Sequence, residues 1–203
     1  MRSLIEGEVT LDLPEALRSA GTLLSQKINT DEISDKVFEF TMDRLRSYYL
    51  DLEYSHQSIE AVLALQPTSP FDIQQRLSAV SAFSTLEAAS DLAAANKRIS
   101  NILRKANIVD IIEVDRNLMV EAAEKTLFDA LAAIKTEAAE LLANADYTQH
   151  LTVLAALKKP INTFFDEVMV MAEDPALKVN RLALLSTIRG QFSQVADIGL
   201  LSE

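Results

Sequence analysis

Cysteine is absent, so no disulfide or thiolate metal site can form, and nothing in the 203 residues demands an oxidising compartment. Glycine and proline are scarce as well, at four and five residues. With so few breakers and an apolar share of 49% in which Ala and Leu dominate, long helices with short connections fit better than a sheet. No run approaches the roughly 20 apolar residues of a membrane span, and MRSLIEGEVTLDLPE has no unbroken apolar core behind a basic start. A membrane is not an expected partner, and a cytoplasmic setting is expected.

Catalytic chemistry is equally thin. His56 and His150 are the only histidines, with no carboxylate at ligand or triad spacing, and both are expected at the surface. No glycine-rich phosphate loop and no aspartate cluster for magnesium is present. Glu121 with Glu124 and Glu137 with Glu140 stand three apart, but lysines nearby and an Ala-rich setting point to a solvated face. Neither a catalytic nor a metal site is expected.

What is present reads as an all-α bundle of roughly nine helices in one region spanning residues 1–203. After an extended start, Pro14 opens a helix over 14–27. The next covers 31–52, with Asp31 as a cap and Ile33, Val37, Phe40, Leu45 and Tyr48 as a core-facing stripe. Ser55 caps a short helix before Pro67, and Ser69 with Pro70 starts another that runs to about Phe83. Leu86 to Lys105 forms one helix, and residues 106–119 are the least regular and a candidate linker. Residues 119–144, 146–157 and 160–172 follow, and Asp174 with Pro175 opens the last helix, to about Ala196.

A net charge of -11 argues against a polyanionic partner until its distribution is considered. Residues 92–109 and 175–196 contain no Asp or Glu, and they carry Lys97, Arg98, Arg104, Lys105, Lys178, Arg181 and Arg189. On a helical wheel with Lys97 at zero, Arg104 falls at about 340°, Asn101 at about 40°, Lys105 at about 80° and Arg98 at about 100°. Leu92, Ile99, Ile102 and Leu103 take the opposite arc. Four cations with an interleaved amide suit phosphate contact plus a group able to read a base edge. Spacing alone leaves a second reading open, in which this face pairs with the chain's own acids.

In the last helix Lys178 and Arg189 share a side, whereas Arg181 falls among Leu177, Leu184, Leu185, Ile188 and Phe192. An arginine there is expected to be structural, tied to a carboxylate such as Asp166 or Asp174. The run FFDEVMVMA reads as core or helix-packing surface. Tyr48, Tyr49 and Tyr54 are candidates for stacking on bases.

Four segments carry a resemblance: DRLRSYY (43–49), RLSAVSAF (76–83), AAANKRISNILRKA (93–106) and FFDEVMVMAEDPALKVNRLALLSTIRGQFSQVADIGLL (164–201). Together they are similar to the C-terminal part of the bacterial glycyl-tRNA synthetase β subunit. RLALLSTIRG and KRISNILRKA also resemble the helical anticodon-binding domain of the class I arginyl-tRNA synthetase (DALR) type. The resemblance implies a helical domain that recognises the anticodon arm of glycine tRNA through Lys97, Arg98, Asn101, Arg104, Lys105, Lys178 and Arg189. It implies an α subunit as partner, which carries the catalytic core and uses ATP and Mg, so that this chain needs no cofactor of its own. The β subunit is far longer, which implies that Met1 opens a piece of it and that surfaces for the α subunit are incomplete. A helical scaffold that packs on the α subunit or on other β domains is the competing expectation.

Overall fold

A computed structural model describes residues 1–24, 30–107 and 113–202. Within them the chain forms α1 (Arg2–Glu6), α2 (Leu13–Leu24), α3 (Thr30–Asp51), α4 (His56–Leu63), α5 (Pro70–Ser84), α6 (Ala89–Lys105), α7 (Ala122–Ala143), α8 (Tyr147–Leu154), α9 (Lys158–Glu167) and α10 (Pro175–Phe192). Three 3-10 turns cover Arg116–Leu118, Ala155–Leu157 and Ile198–Leu201. No strand occurs among the described residues, so the all-α reading holds.

Short polar side chains set several boundaries. Ser55 accepts a hydrogen bond from the Ser58 N–H, 3.0 Å, and Asp174 accepts from Ala176 and Leu177 at 2.8 and 3.3 Å, satisfying N–H groups that the first turn leaves over. Ser69 precedes α5 without capping it, and its buried hydroxyl has no partner. The end of the second helix at 25–27 lies outside the described residues, and Asp31 is not the cap expected of it, because α3 already begins at Thr30.

The structure corrects several boundaries. The start is not extended, because Arg2 and Glu6 pair at 2.7 Å across one turn and Ile5 is buried, which adds a tenth helix. Leu86 lies in a turn, so α6 begins only at Ala89. The last helix stops at Phe192 rather than Ala196. Residues 168–174 are not helical either: Val168 and Val170 are buried while Met169 between them is exposed, and Arg181 Nη1 takes the Met169 carbonyl at 2.9 Å.

The α3 stripe also divides. Leu45 is buried and Tyr48 half-buried, but Ile33, Val37 and Phe40 are 45%, 40% and 65% exposed. The periodicity of the stripe is present, yet only the C-terminal half of α3 has the core behind it, where Arg46 reaches Glu60 of α4 at 2.7 Å. Tyr49 is fully buried, and its hydroxyl donates to the Pro70 carbonyl at 3.2 Å.

One buried cluster runs from Ile5 through Leu45, Leu77, Ile99, Leu127, Leu151 and Ile161 to Phe192 and Ile198. Residues 108–112 of the candidate linker lie outside the described residues. Beyond them, the Asp115 N–H donates to Asn180 Oδ1 at 2.8 Å, and Asn180 Nδ2 returns a bond to the Asp115 carbonyl at 2.9 Å, fastening that segment to α10.

The segment after α10 folds back under α6. Arg76 donates to the carbonyls of Gln194 and Val195 at 2.7 and 3.0 Å, and the Asp197 N–H donates to Ala61 at 2.8 Å. Gly199 then lies so close to α6 that an added Cβ would stand 3.2 Å from the Lys97 nitrogen and 3.3 Å from its Cα. Gly199→Ala is expected to cost about 1–3 kcal/mol, since backbone must shift to admit the methyl. Urea unfolding of the variant beside the parent chain measures it, and equal midpoints would contradict the close approach.

Candidate nucleic-acid interface

α6 presents its two faces much as its wheel requires. Leu92, Ala95, Ile99 and Leu103 are buried and Ile102 half-buried, while Lys97, Arg98, Asn101, Arg104 and Lys105 are exposed. Asn96 is buried as well and spends its amide on the Leu92 carbonyl at 3.3 Å. Arg104 and Lys105 occupy the last turn, where the helix dipole favours positive charge.

These side chains border an open groove of about 410 Å³, lined by Lys97, Arg98, Asn101, Ile102, Lys105 and Ser202. Lys97 Nζ donates to the Ser202 carbonyl at 3.2 Å, so the C-terminal segment forms one wall. Arg104 is not in the lining; its guanidinium donates to Asn101 Oδ1 at 2.9 Å and orients that amide. Arg98 lies over the ring of Phe165 on α9, 4.1 Å from its centroid.

Pairing of this face with the chain's own acids is not what the described residues show. Among them no carboxylate lies within ion-pair distance of Arg98, Arg104 or Lys105. The acids that precede this face in the chain, Glu87 and Asp91, face Lys158 at 3.9 and 3.0 Å. The cationic face therefore keeps most of its charge available to a partner.

The second acid-free window behaves differently. Lys178 is half-buried in the first turn of α10 and Arg189 exposed in the last, and neither lines the α6 groove. Arg181 is buried, as expected of a structural arginine, but its partner is neither Asp166 nor Asp174. Its Nε and Nη2 donate to Oε1 and Oε2 of Glu124 at 2.9 and 3.2 Å. Asp174 is occupied as a cap, and Asp166 stays exposed at the end of α9.

Glu124 accordingly departs from the solvated face expected of it, being 1% exposed. Its Oε2 also accepts from the N–H groups of Glu121 and Val120 at 2.8 and 3.1 Å, closing the first turn of α7. Burial by itself pushes this carboxyl up; hydrogen bonds from Arg181 and from the Glu121 backbone, with the Arg181 charge, outweigh it and hold it below its ordinary value. Glu137 and Glu140 are exposed as expected.

His150 is the other reversal. It is fully buried, with Nδ1 3.0 Å from the Ala138 carbonyl and Nε2 3.1 Å from that of Gln191, linking α8 to α7 and α10. His56 is exposed. Two neighbours of the cationic face carried no signal in the sequence: Phe165 and Ser202 reach α6 only through tertiary folding. Tyr49 meets Tyr48 and Tyr54 edge-to-face around the end of α3, and none of the three is in the groove lining.

Residues 92–198 match a family model described as the DALR anticodon binding domain. That window contains both acid-free stretches. The chain is 46% identical over 201 residues to the glycine–tRNA ligase beta subunit of Actinobacillus pleuropneumoniae serotype 7. It is 45% identical to that of Haemophilus influenzae strain PittGG and 47% identical to that of Shewanella baltica. Each alignment covers 99% of this chain and 29% of the relative, so the chain spans under a third of the length of these proteins.

Proposed function

The chain belongs to the DALR anticodon-binding domain family, and on that basis we propose that the cationic face of α6 holds the anticodon arm of a glycine tRNA. In this reading the chain serves a ligase that joins glycine to tRNA, and it supplies grip while an α subunit supplies the chemistry with ATP and Mg. The observation that carries it is the exposed set Arg98, Arg104 and Lys105, without carboxylate partners among the described residues and inside the family window. Lys97, Arg98 and Lys105 meet phosphates along the groove, Asn101 offers an amide, and Lys178 and Arg189 act as outlying contacts. Such a complex forms in the cytoplasm, where tRNA is charged.

A surface that neutralises about four phosphates of single-stranded RNA gives a log–log salt slope of about -3. Titration of glycine tRNA against this chain at a series of salt concentrations is expected to show that slope. Binding that ignores salt would remove the electrostatic basis of the proposal.

A second role is compatible with another face. Phe164 is buried and Phe165 half-buried, but Met169 is 75% exposed, with Met171 and Val120 also open. Met169 and Val120 are both anchored through their backbones to the Glu124–Arg181 pair, so they are displayed on a rigid base. We assign this patch to packing against the α subunit. Sedimentation of the two chains together without tRNA checks it, and separate migration would count against it.

A further inference from the structure

We infer that the recess between α6 and α9 reads one cytosine of the RNA held on the α6 face, with Asn162 and Asp166 as the reading pair. The inference rests on the anticodon-arm reading above and adds to it which side chains distinguish the base. The recess is an open cleft of about 380 Å³ bordered by Asp91, Arg98, Asn162, Phe165 and Asp166. Arg98 borders the phosphate groove as well, so a strand lying along α6 passes directly by its mouth.

One wall is built for a flat ligand. The Arg98 guanidinium lies over the Phe165 ring, 4.1 Å from its centroid, and none of its N–H donors has a hydrogen-bond partner among the described residues. Phe164 meets Phe165 edge-on at 5.8 Å and braces the ring. Guanidinium and aromatic planes are the surfaces on which unstacked bases settle in single-stranded RNA recognition.

The opposite rim selects. Asn162 and Asp166 stand four residues apart on α9 and so share a face. Both are exposed, and neither side chain has a partner among the described residues. Asp91, the other acid of the recess, is held by Lys158 at 3.0 Å. An uncompensated carboxylate repels phosphate, and it suits a base that offers an exocyclic amine. Cytosine offers that amine beside two acceptors, matching a carboxylate next to an amide. Uracil has no amine and presents an acceptor to the carboxylate. Glycine codons begin with two guanines, so a tRNA that decodes them brings two cytosines to this surface.

The test uses this chain, glycine tRNA, and the same tRNA with each of those cytosines changed in turn to uracil. The parent chain is expected to lose about tenfold or more in affinity at one of the two positions. Asp166→Asn supplies an N–H that uracil can accept, and is expected to bring that discrimination to within about twofold; Asn162→Ala is expected to weaken it as well. Salt slope should stay that of the parent in both variants. Tight, salt-dependent binding with no cytosine preference, or with a preference that survives Asp166→Asn, overturns the recess and leaves the anticodon-arm reading standing. Absence of salt-dependent tRNA binding by the parent chain overturns both.

Discussion

Arg181→Met is expected to destabilise the fold by about 3–5 kcal/mol, because it leaves a buried carboxylate without its counter-charge. For a domain of this size that corresponds to a fall in Tm of roughly 6–20 °C. Glu124 is 1% exposed and would keep only the backbone N–H groups of Glu121 and Val120. The double variant Glu124→Gln with Arg181→Met isolates charge from packing, since glutamine can still accept those two bonds while carrying no charge. It is expected to recover much of the loss.

Acidity provides an independent check on the same pair. The Glu124 carboxyl is held below its ordinary value in the folded chain, so the stabilisation it contributes is complete above the unfolded value of about 4.3 and is lost as pH falls through the lower folded value. The stability gap between the parent chain and Arg181→Met should therefore narrow as the solution is acidified below about pH 4. A gap that is constant from neutral to strongly acidic pH would show that the pair is not what is lost.

Replacing Arg98, Arg104 and Lys105 together by glutamine is expected to lower affinity for glycine tRNA by about a hundredfold at low salt. The salt slope should become shallower by about 2, since each of the three cations removed lowers it by roughly 0.7 on single-stranded RNA. Folding should change little. Loss of the dipole interaction in the last turn of α6 and of the Arg98–Phe165 contact together removes no more than about 2 kcal/mol. The pair Lys178→Gln with Arg189→Gln, outside the groove, is expected to change affinity by less than about threefold. Equal losses for the two sets would move the interface toward α10.

The face of α6 is legible in sequence because both its signals are local: a 3.6-residue apolar period and a run free of acids. Helix class and the caps at Ser55 and Asp174 are legible for the same reason, since each depends on residues within one turn. Partners are not local. Arg181 stands out in sequence as a cation on an apolar arc, but Glu124, 57 positions away, joins it only when α7 and α10 pack together. Asp166 and Asp174 are nearer in sequence and take other places.

The same limit accounts for His150, Phe165 and α3. Nothing beside His150 in the chain indicates that carbonyls of α7 and α10 will face its ring. Phe165 lies in an apolar run whose helical character breaks at Val168, where a tertiary bond from Arg181 holds the Met169 carbonyl. On α3 the apolar period is unbroken from Ile33 to Tyr48, yet period alone does not say where the core behind a helix stops.

The wall that Ser202 gives to the α6 groove also bears on timing. Ser202 follows Lys97 by 105 positions, so during synthesis α6 leaves the ribosome roughly 5–20 s before that wall does. For that interval Lys97 lacks the carbonyl that later holds it, and Gly199 is not yet lodged beneath it. Until then the face of α6 has no such wall beside it, and the completed turn at 198–201 is what gives the groove its shape.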